Sequence, residues 1–315
     1  TGGGTIVASN IDIVTEGSNS SFVETDRGGG TVTVDGGSYV TTGSDCAILY
    51  STGTISASNA TGSSAKGEVG VIEGDNTINI TNCNFSSGSS SRGLMILQSG
   101  SGDSEGYNGA INITNSTITL TDSSAPLCEI PTSITGTLTL DNTSLTVPSG
   151  VLMYVDYNTR WSTYGGTGNL VLKNGSYTGA VNADQYGTAT VSVASTATWT
   201  GSIDNSNVAS STTATVEGVW ILNADSYVDN LTIASGATVY TNGYSLNYGS
   251  LTNNGTLDTT STGGTGIKAI TLQEEGAGNG AVYNLSGMKV VDSASNLSAL
   301  AKGIYIVNGK KIAVR

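Results

Sequence analysis

The sequence predicts an all-β chain: a right-handed parallel β-helix, that is, a solenoid of stacked coils, followed by a small antiparallel β-hairpin module. Three observations predict it. The stretch "INITNCNF" at 78–85 is respelled "INITNSTI" at 111–118, with asparagine at the same place. The same spacing can be laid on eight segments whose starts lie 26, 23, 23, 33, 27, 32 and 21 residues apart. Each unit alternates apolar and polar residues with period two and shows no helical period.

The elements follow from that register. Counting the first apolar residue as zero, the units begin at Ile6, Val32, Ile55, Ile78, Ile111, Leu138, Leu170 and Val191. Position +2 is then Ala8, Val34, Ala57, Ile80, Ile113, Leu140, Leu172 and Val193, all apolar, which is a strand with one buried face. Position +4 is Asn10, Gly36, Asn59, Asn82, Asn115, Asn142, Asn174 and Ser195. Inward residues resume near +7, at Ile13, Tyr39, Gly62, Phe85, Ile118, Leu145, Tyr177 and Thr198, so the side-chain parity has shifted by one. One residue in a left-handed conformation produces that shift, and asparagine and glycine adopt it most readily. These seven Asn and Gly positions are therefore read as structural turn residues. Crossover chirality favours the right hand. An antiparallel sandwich would explain the alternation but not an asparagine four residues into each unit.

After residue 198 the alternation continues with shorter returns, through "GVWILNADSYVDNLTIASGATV" and "YSLNYGSLTNNGTL". The stretch "TSTGGTG" at 260–266 reads as a linker, which places a β-helix over 1–264 and a C-terminal β module over 265–315. In the module, "AVYNLSGMKVVD" and "GIYIVNGKKIAVR" each read as strand, turn, strand, the second with an Asn308-Gly309 turn. A plainer role for 267–315 is to cover the last coil.

Charge and composition exclude several classes. The chain carries net charge −13, and its first 264 residues hold five basic against twenty-one acidic side chains. Such a body repels nucleic acid and anionic lipid. No run approaches the roughly 18 apolar residues of a membrane span. The opening "TGGGTIVASN" has neither the basic start nor the apolar run of a signal peptide, which suggests a processed or trimmed chain. The cysteines Cys46, Cys83 and Cys128 are odd in number and far apart, so they read as apolar filler. With no histidine, Ser-His-Asp and Cys-His catalysis and His-ligated zinc are excluded. No catalytic residue, metal ligand or cofactor motif is assigned. Calcium has no supporting pattern, because no "GGxGxD" run occurs.

Two resemblances add to this reading. The stretch "NLTIASGATVYTNGYSLNYGSLTNNGTLDTT", with its "LTIASGAT" and "LTNNGTL" pieces, resembles the repeats of bacterial surface adhesin-like β-helix proteins, a pectate-lyase-like fold. That resemblance implies a secreted or cell-surface rod presenting loops to a glycan or an extracellular or host protein. The same scaffold also carries polysaccharide lyases and hydrolases, which stand as the alternative function. The tail resembles the sorting module of type IX-secreted bacterial proteins at Tyr283, Leu285, Gly287, Val290, Gly303, Tyr305, Val307, Gly309 and Lys310. It implies export to the extracellular side or the outer cell surface.

The best local candidate for ligand binding is "MYVDYNTRWSTYGG" at 153–166. It sets Tyr154, Tyr157, Trp161 and Tyr164 beside Asp156 and Arg160. Rings stack on sugar C–H faces while the polar groups take hydroxyls. The plainer reading is that these rings fill a bulky loop between coils. A lyase on this surface would lack the basic groove that a polyanionic substrate needs, since 1–264 offers only Arg27, Lys66, Arg92, Arg160 and Lys173.

Overall fold

The computed structural model describes residues 3–158, 160–161, 165–260, 281–284, 288–291, 300, 303–307 and 310–314. By contact density the chain divides into Thr1–Ser261 and Thr262–Arg315. The expected boundary at 264/265 lies in 261–280, outside the described residues.

The first unit is a parallel β-solenoid of about eleven turns, as the repeat predicts. Each coil contributes up to three strands. The first face stacks β1 (Thr5–Thr15), β3 (Thr31–Thr41), β5 (Thr54–Ser58), β8 (Thr77–Thr81), β11 (Asn108–Thr114) and β14 (Thr135–Asp141). It continues through β17 (Thr167–Lys173), β20 (Thr188–Val193), β22 (Ser211–Val216), β24 (Ser226–Ile233) and β26 (Leu246–Asn253). After the turn, the second face begins with the latter halves of β1 and β3. These stack on β6 (Thr61–Ser64), β9 (Asn84–Ser87), β12 (Thr117–Leu120) and β15 (Ser144–Thr146). A separate sheet then takes over the post-turn position, with β18 (Gly175–Thr178), β21 (Ala197–Thr200), β23 (Val219–Ile221), β25 (Thr238–Tyr240) and β27 (Thr256–Asp258). The third face is a seven-stranded sheet. It contains β2 (Val23–Thr25), β4 (Leu49–Ser51), β7 (Gly70–Glu73), β10 (Leu94–Leu97), β13 (Cys128–Ile130), β16 (Val151–Val155) and β19 (Ala180–Ala183).

The register predicted from sequence is the register of the ladders. Ile55 pairs with Ile78, Ile78 with Ile111, Ile111 with Leu138, Leu138 with Leu170 and Leu170 with Val191. These side chains are fully buried and form one continuous core with Ile80, Phe85, Ile113, Leu140 and Leu172. All seven turn positions have positive φ: Asn10 52°, Gly36 73°, Asn59 54°, Asn82 53°, Asn115 49°, Asn142 47° and Asn174 38°. The asparagines also bond along the stack. Asn82 Nδ2 donates to Asn59 Oδ1 at 3.2 Å and Asn142 Nδ2 to Asn115 Oδ1 at 2.8 Å. A parallel row links Asn112 Nδ2 to Asn79 Oδ1 at 3.0 Å.

The eighth unit departs from the pattern. Ser195 is not among the positive-φ residues, and Ala197 N–H closes a tight turn onto the Ala194 carbonyl at 2.9 Å. That turn takes one more residue than the asparagine bend, so Trp199 rather than Thr198 points inward and pairs with Tyr177. Trp199 and Trp220 then stack at 4.8 Å in the core, each indole N–H donating to a glycine carbonyl at 2.9 Å. The first coil is also less buried than its pattern suggests, because Ile6 and Ile13 lie on a strand that, among the described residues, pairs with β3 alone. The three cysteines are free and buried.

In the second unit β28 (Val282–Asn284), β29 (Lys289–Val291), β30 (Gly303–Val307) and β31 (Lys310–Val314) form an antiparallel sheet in the order β29-β28-β30-β31. β28 pairs antiparallel with β29 and β30 with β31, as the two expected hairpins require, and Val307 pairs with Lys310. The turn residues themselves, like Leu285 and Gly287, lie outside the described set. Among the described residues, no helix is long and apolar enough to cross a membrane.

Candidate functional site

On the first face the outward positions read Thr33, Ser56, Asn79, Asn112, Thr139, Val171, Ser192, Thr215 and Thr232 down one column, nearly all short and polar. The third face is different. Its outward column reads Glu24, Tyr50, Val71, Met95, Glu129, Tyr154 and Asn182. Beside it, Glu73 pairs with Leu97. Ala47, Val71, Met95 and Leu97 are buried although they lie outside the coil, in a cluster of their own with Tyr50 and Trp161 packed on it.

This cluster floors a cleft of about 310 Å³ that is also lined by Asp45, Glu68, Glu73, Asp103, Arg92, Arg160 and Trp161. One wall is the 99–106 loop. Gln98 holds it by donating from Nε2 to the carbonyls of Ser104 at 3.2 Å and Gly106 at 2.9 Å. Glu73 accepts from Tyr50 Oη at 3.0 Å, from Ser101 Oγ at 3.2 Å and from Ser99 Oγ. Burial, then the neighbouring Glu73 carboxylate, pushes the Tyr50 phenol up, so it stays a donor. The other wall is Trp161. Two guanidiniums approach its ring, Arg160 at 5.2 Å and Arg92 at 6.0 Å from the centroid.

Arg92 is the hub beneath. Its Nε lies 3.3 Å from Glu68 and its Nη1 bonds Glu129. The Asp156 carboxyl is the neighbouring acid that acts on Glu129. Burial raises the Glu129 carboxyl to about 7, Asp156 adding to the rise and Arg92 opposing it. Asp156 is likewise raised, first by burial, with Asp184 adding to the rise and Arg92 opposing it. Asp156 Oδ1 is buried with no hydrogen-bond partner among the described residues.

A second cleft of about 310 Å³ lies further along the same face, lined by Tyr154, Asn182, Asp184, Asp204 and Val208 among others. Its acids are occupied by the backbone. Asp184 accepts N–H bonds from Tyr157 at 2.7 Å and Tyr186 at 2.8 Å, and Asp204 accepts from Val208 and Ala209, both at 3.1 Å. No group of three or more acidic or Cys side chains among the described residues is placed to hold a metal.

The aromatic loop expected to act as one cluster is therefore divided. Trp161 and Arg160 border the first cleft, Tyr154 borders the second, and Tyr157 packs edge-on against Tyr186 at 5.8 Å. Asp156 sits beneath, acting on Glu129, and Tyr164 lies outside the described residues. Sequence reasoning missed Tyr50, Glu68, Glu73, Arg92, Met95, Leu97 and Glu129. A signal was present: "LMIL" at 94–97 is an unbroken apolar run in a chain that otherwise alternates, which marks a strand covered on both sides.

Fold and site together define a parallel β-solenoid with a rimmed cleft on the outside of one sheet. No protein-family model, no curated protein and no solved structure matches the chain.

Proposed function

We propose that the protein is an exported, adhesin-like surface rod that binds a glycan in the cleft outside its third face. One observation carries this reading. The outward column of that face is apolar, aromatic and carboxylic where the outward column of the first face is nearly all Ser, Thr and Asn. An apolar floor with hydroxyl-bonding groups at the rim suits a sugar, whose C–H faces and hydroxyls need both. Four lining carboxylates against two guanidiniums favour neutral or amino-bearing sugars over uronates. Export rests on the resemblance of 265–315 to a sorting module, and loss of surface display on deleting it is the corresponding test.

The binding test is a glycan array of neutral, amino-bearing and uronate chains, run with wild type and Trp161→Ala. Binding lost in the variant with unchanged melting supports the reading. Unchanged binding with lowered melting shows that Trp161 only packs. The neighbouring carboxyls Glu129 and Asp156 favour a second reading, cleavage of the bound chain. Neither carboxyl lines the cleft in which a chain would lie, so binding is the reading advanced. Release of new reducing ends, or absorbance near about 235 nm from uronate polymers, would reverse that order.

A further inference from the structure

We propose that the second cleft is a further subsite for the same glycan, and that the ligand is a linear chain with vicinal hydroxyls lying along the solenoid axis across both clefts. The proposal rests on the glycan reading of the first cleft. It adds a ligand length and a second set of contacts, which variants outside the first cleft test.

The strand register puts the two clefts in one line. Along the outward column of the third face, Tyr50 pairs with Val71, Val71 with Met95, Met95 with Glu129, Glu129 with Tyr154 and Tyr154 with Asn182. Tyr50, Val71 and Met95 line the first cleft, while Tyr154 and Asn182 line the second. With neighbouring coils about 4.8 Å apart, the column spans about 24 Å, and only the Glu129 rung separates the clefts. Its carboxylate is bonded to Arg92 and its side chain is 10% exposed, so little of it obstructs a chain passing above.

The second cleft holds a polar side chain with an unmet need. Its two acids already accept backbone N–H bonds, but Asn182 Oδ1 is buried with no hydrogen-bond partner among the described residues. A buried acceptor without a donor is costly, and a ligand hydroxyl relieves that cost. A carboxamide carries an acceptor and a donor side by side. It takes the hydrogen of one hydroxyl and gives one to the oxygen of the next, the pattern that vicinal hydroxyls of a sugar ring offer. Pro126, the Tyr154 ring and the half-exposed Val208 supply apolar surface for the ring's C–H face. A peptide strand has no edge to join here. Beyond β19, Val181 N–H donates to the Ser202 carbonyl at 2.8 Å and Asp204 N–H to the Val181 carbonyl at 2.9 Å, so that edge is taken.

The test is calorimetric binding of fragments, from disaccharide to octasaccharide, cut from the strongest neutral or amino-bearing binder on the glycan array. Fragments that reach both clefts should bind wild type at least about tenfold tighter than the disaccharide, because the second contact is made by a tethered group. Asn182→Ala should remove that gain. Val208→Arg should remove it too, by filling the second cleft from an exposed position without deleting its polar groups. Affinity that does not rise with length in wild type overturns the proposal and leaves the glycan reading of the first cleft standing. A gain that survives in either variant does the same. An array without any binder overturns both.

Discussion

Asn59 offers the sharpest test of how the coils turn. It sits in the left-handed region at φ 54°, donates through Nδ2 to Asp35 Oδ1 at 2.6 Å and accepts from Asn82 Nδ2 at 3.2 Å. Replacing it by alanine forces a Cβ-bearing residue without asparagine's local bonding into that conformation, at a cost of about 1–2 kcal/mol. Losing two solvent-exposed side-chain bonds adds about 0.5–1 kcal/mol. Asn59→Ala should therefore cost about 1.5–3 kcal/mol in total. Glycine tolerates the backbone but loses the same bonds and some chain entropy, so Asn59→Gly should cost only about 0.5–1.5 kcal/mol. The backbone bond from Asn59 N–H to Thr81 O is kept in both. Urea unfolding monitored by circular dichroism gives the comparison, read as a midpoint shift at unchanged slope. If alanine is tolerated as well as asparagine, or glycine is the worse of the two, left-handed bends are not what shapes the coil.

Trp220→Ala removes half of a buried ring stack and leaves the Gly201 carbonyl without its donor; a loss of about 3–5 kcal/mol is expected in the same unfolding assay. Gly37→Ala places a Cβ against the Ile11 carbonyl at φ 93°, so β1 should detach, read as faster amide exchange over 5–15 with the other strands unchanged. The Glu129 carboxyl is raised from 4.5 to about 7, first by burial, so the fold binds this proton more tightly than the unfolded chain does. Its contribution is full below pH 4.5 and is lost as pH rises through about 7, with a slope of at most about 1.4 kcal/mol per pH unit. Glu129→Gln should flatten that decline in unfolding midpoints measured from pH 5 to pH 8; an undiminished decline would place its origin elsewhere.

Much of the fold was legible because its rule is local. A period of two with an asparagine bend needs only five residues to be recognised, and Ile78 and Ile111 fall in register whatever lies between them. The rule failed at Ser195, where a tight turn does the asparagine's work with one residue more, and composition gave no warning of the exchange. The cleft was harder to foresee. Tyr50, Arg92 and Glu129 are separated by whole coils and meet only because the stacking brings them together, and no spacing within one unit encodes that. Trp161 stood out by its rarity, and it borders the first cleft. Its actual neighbours, Arg92 and the Val71–Met95 cluster, belong to coils read in sequence as ordinary repeats.

Ile55 and Ile78 are 23 residues apart and Ile78 and Ile111 are 33 apart, yet each pair occupies adjacent rungs of one ladder. The additional length is carried outside the rungs, where it leaves the strand pairing untouched. Corners of this sort are natural ports for grafting: a peptide spliced into the 99–106 corner would reshape the cleft wall without disturbing the ladders beneath it. Variation in such a molecule can then accumulate at the rim of its cleft, coil by coil, while the interior stays fixed.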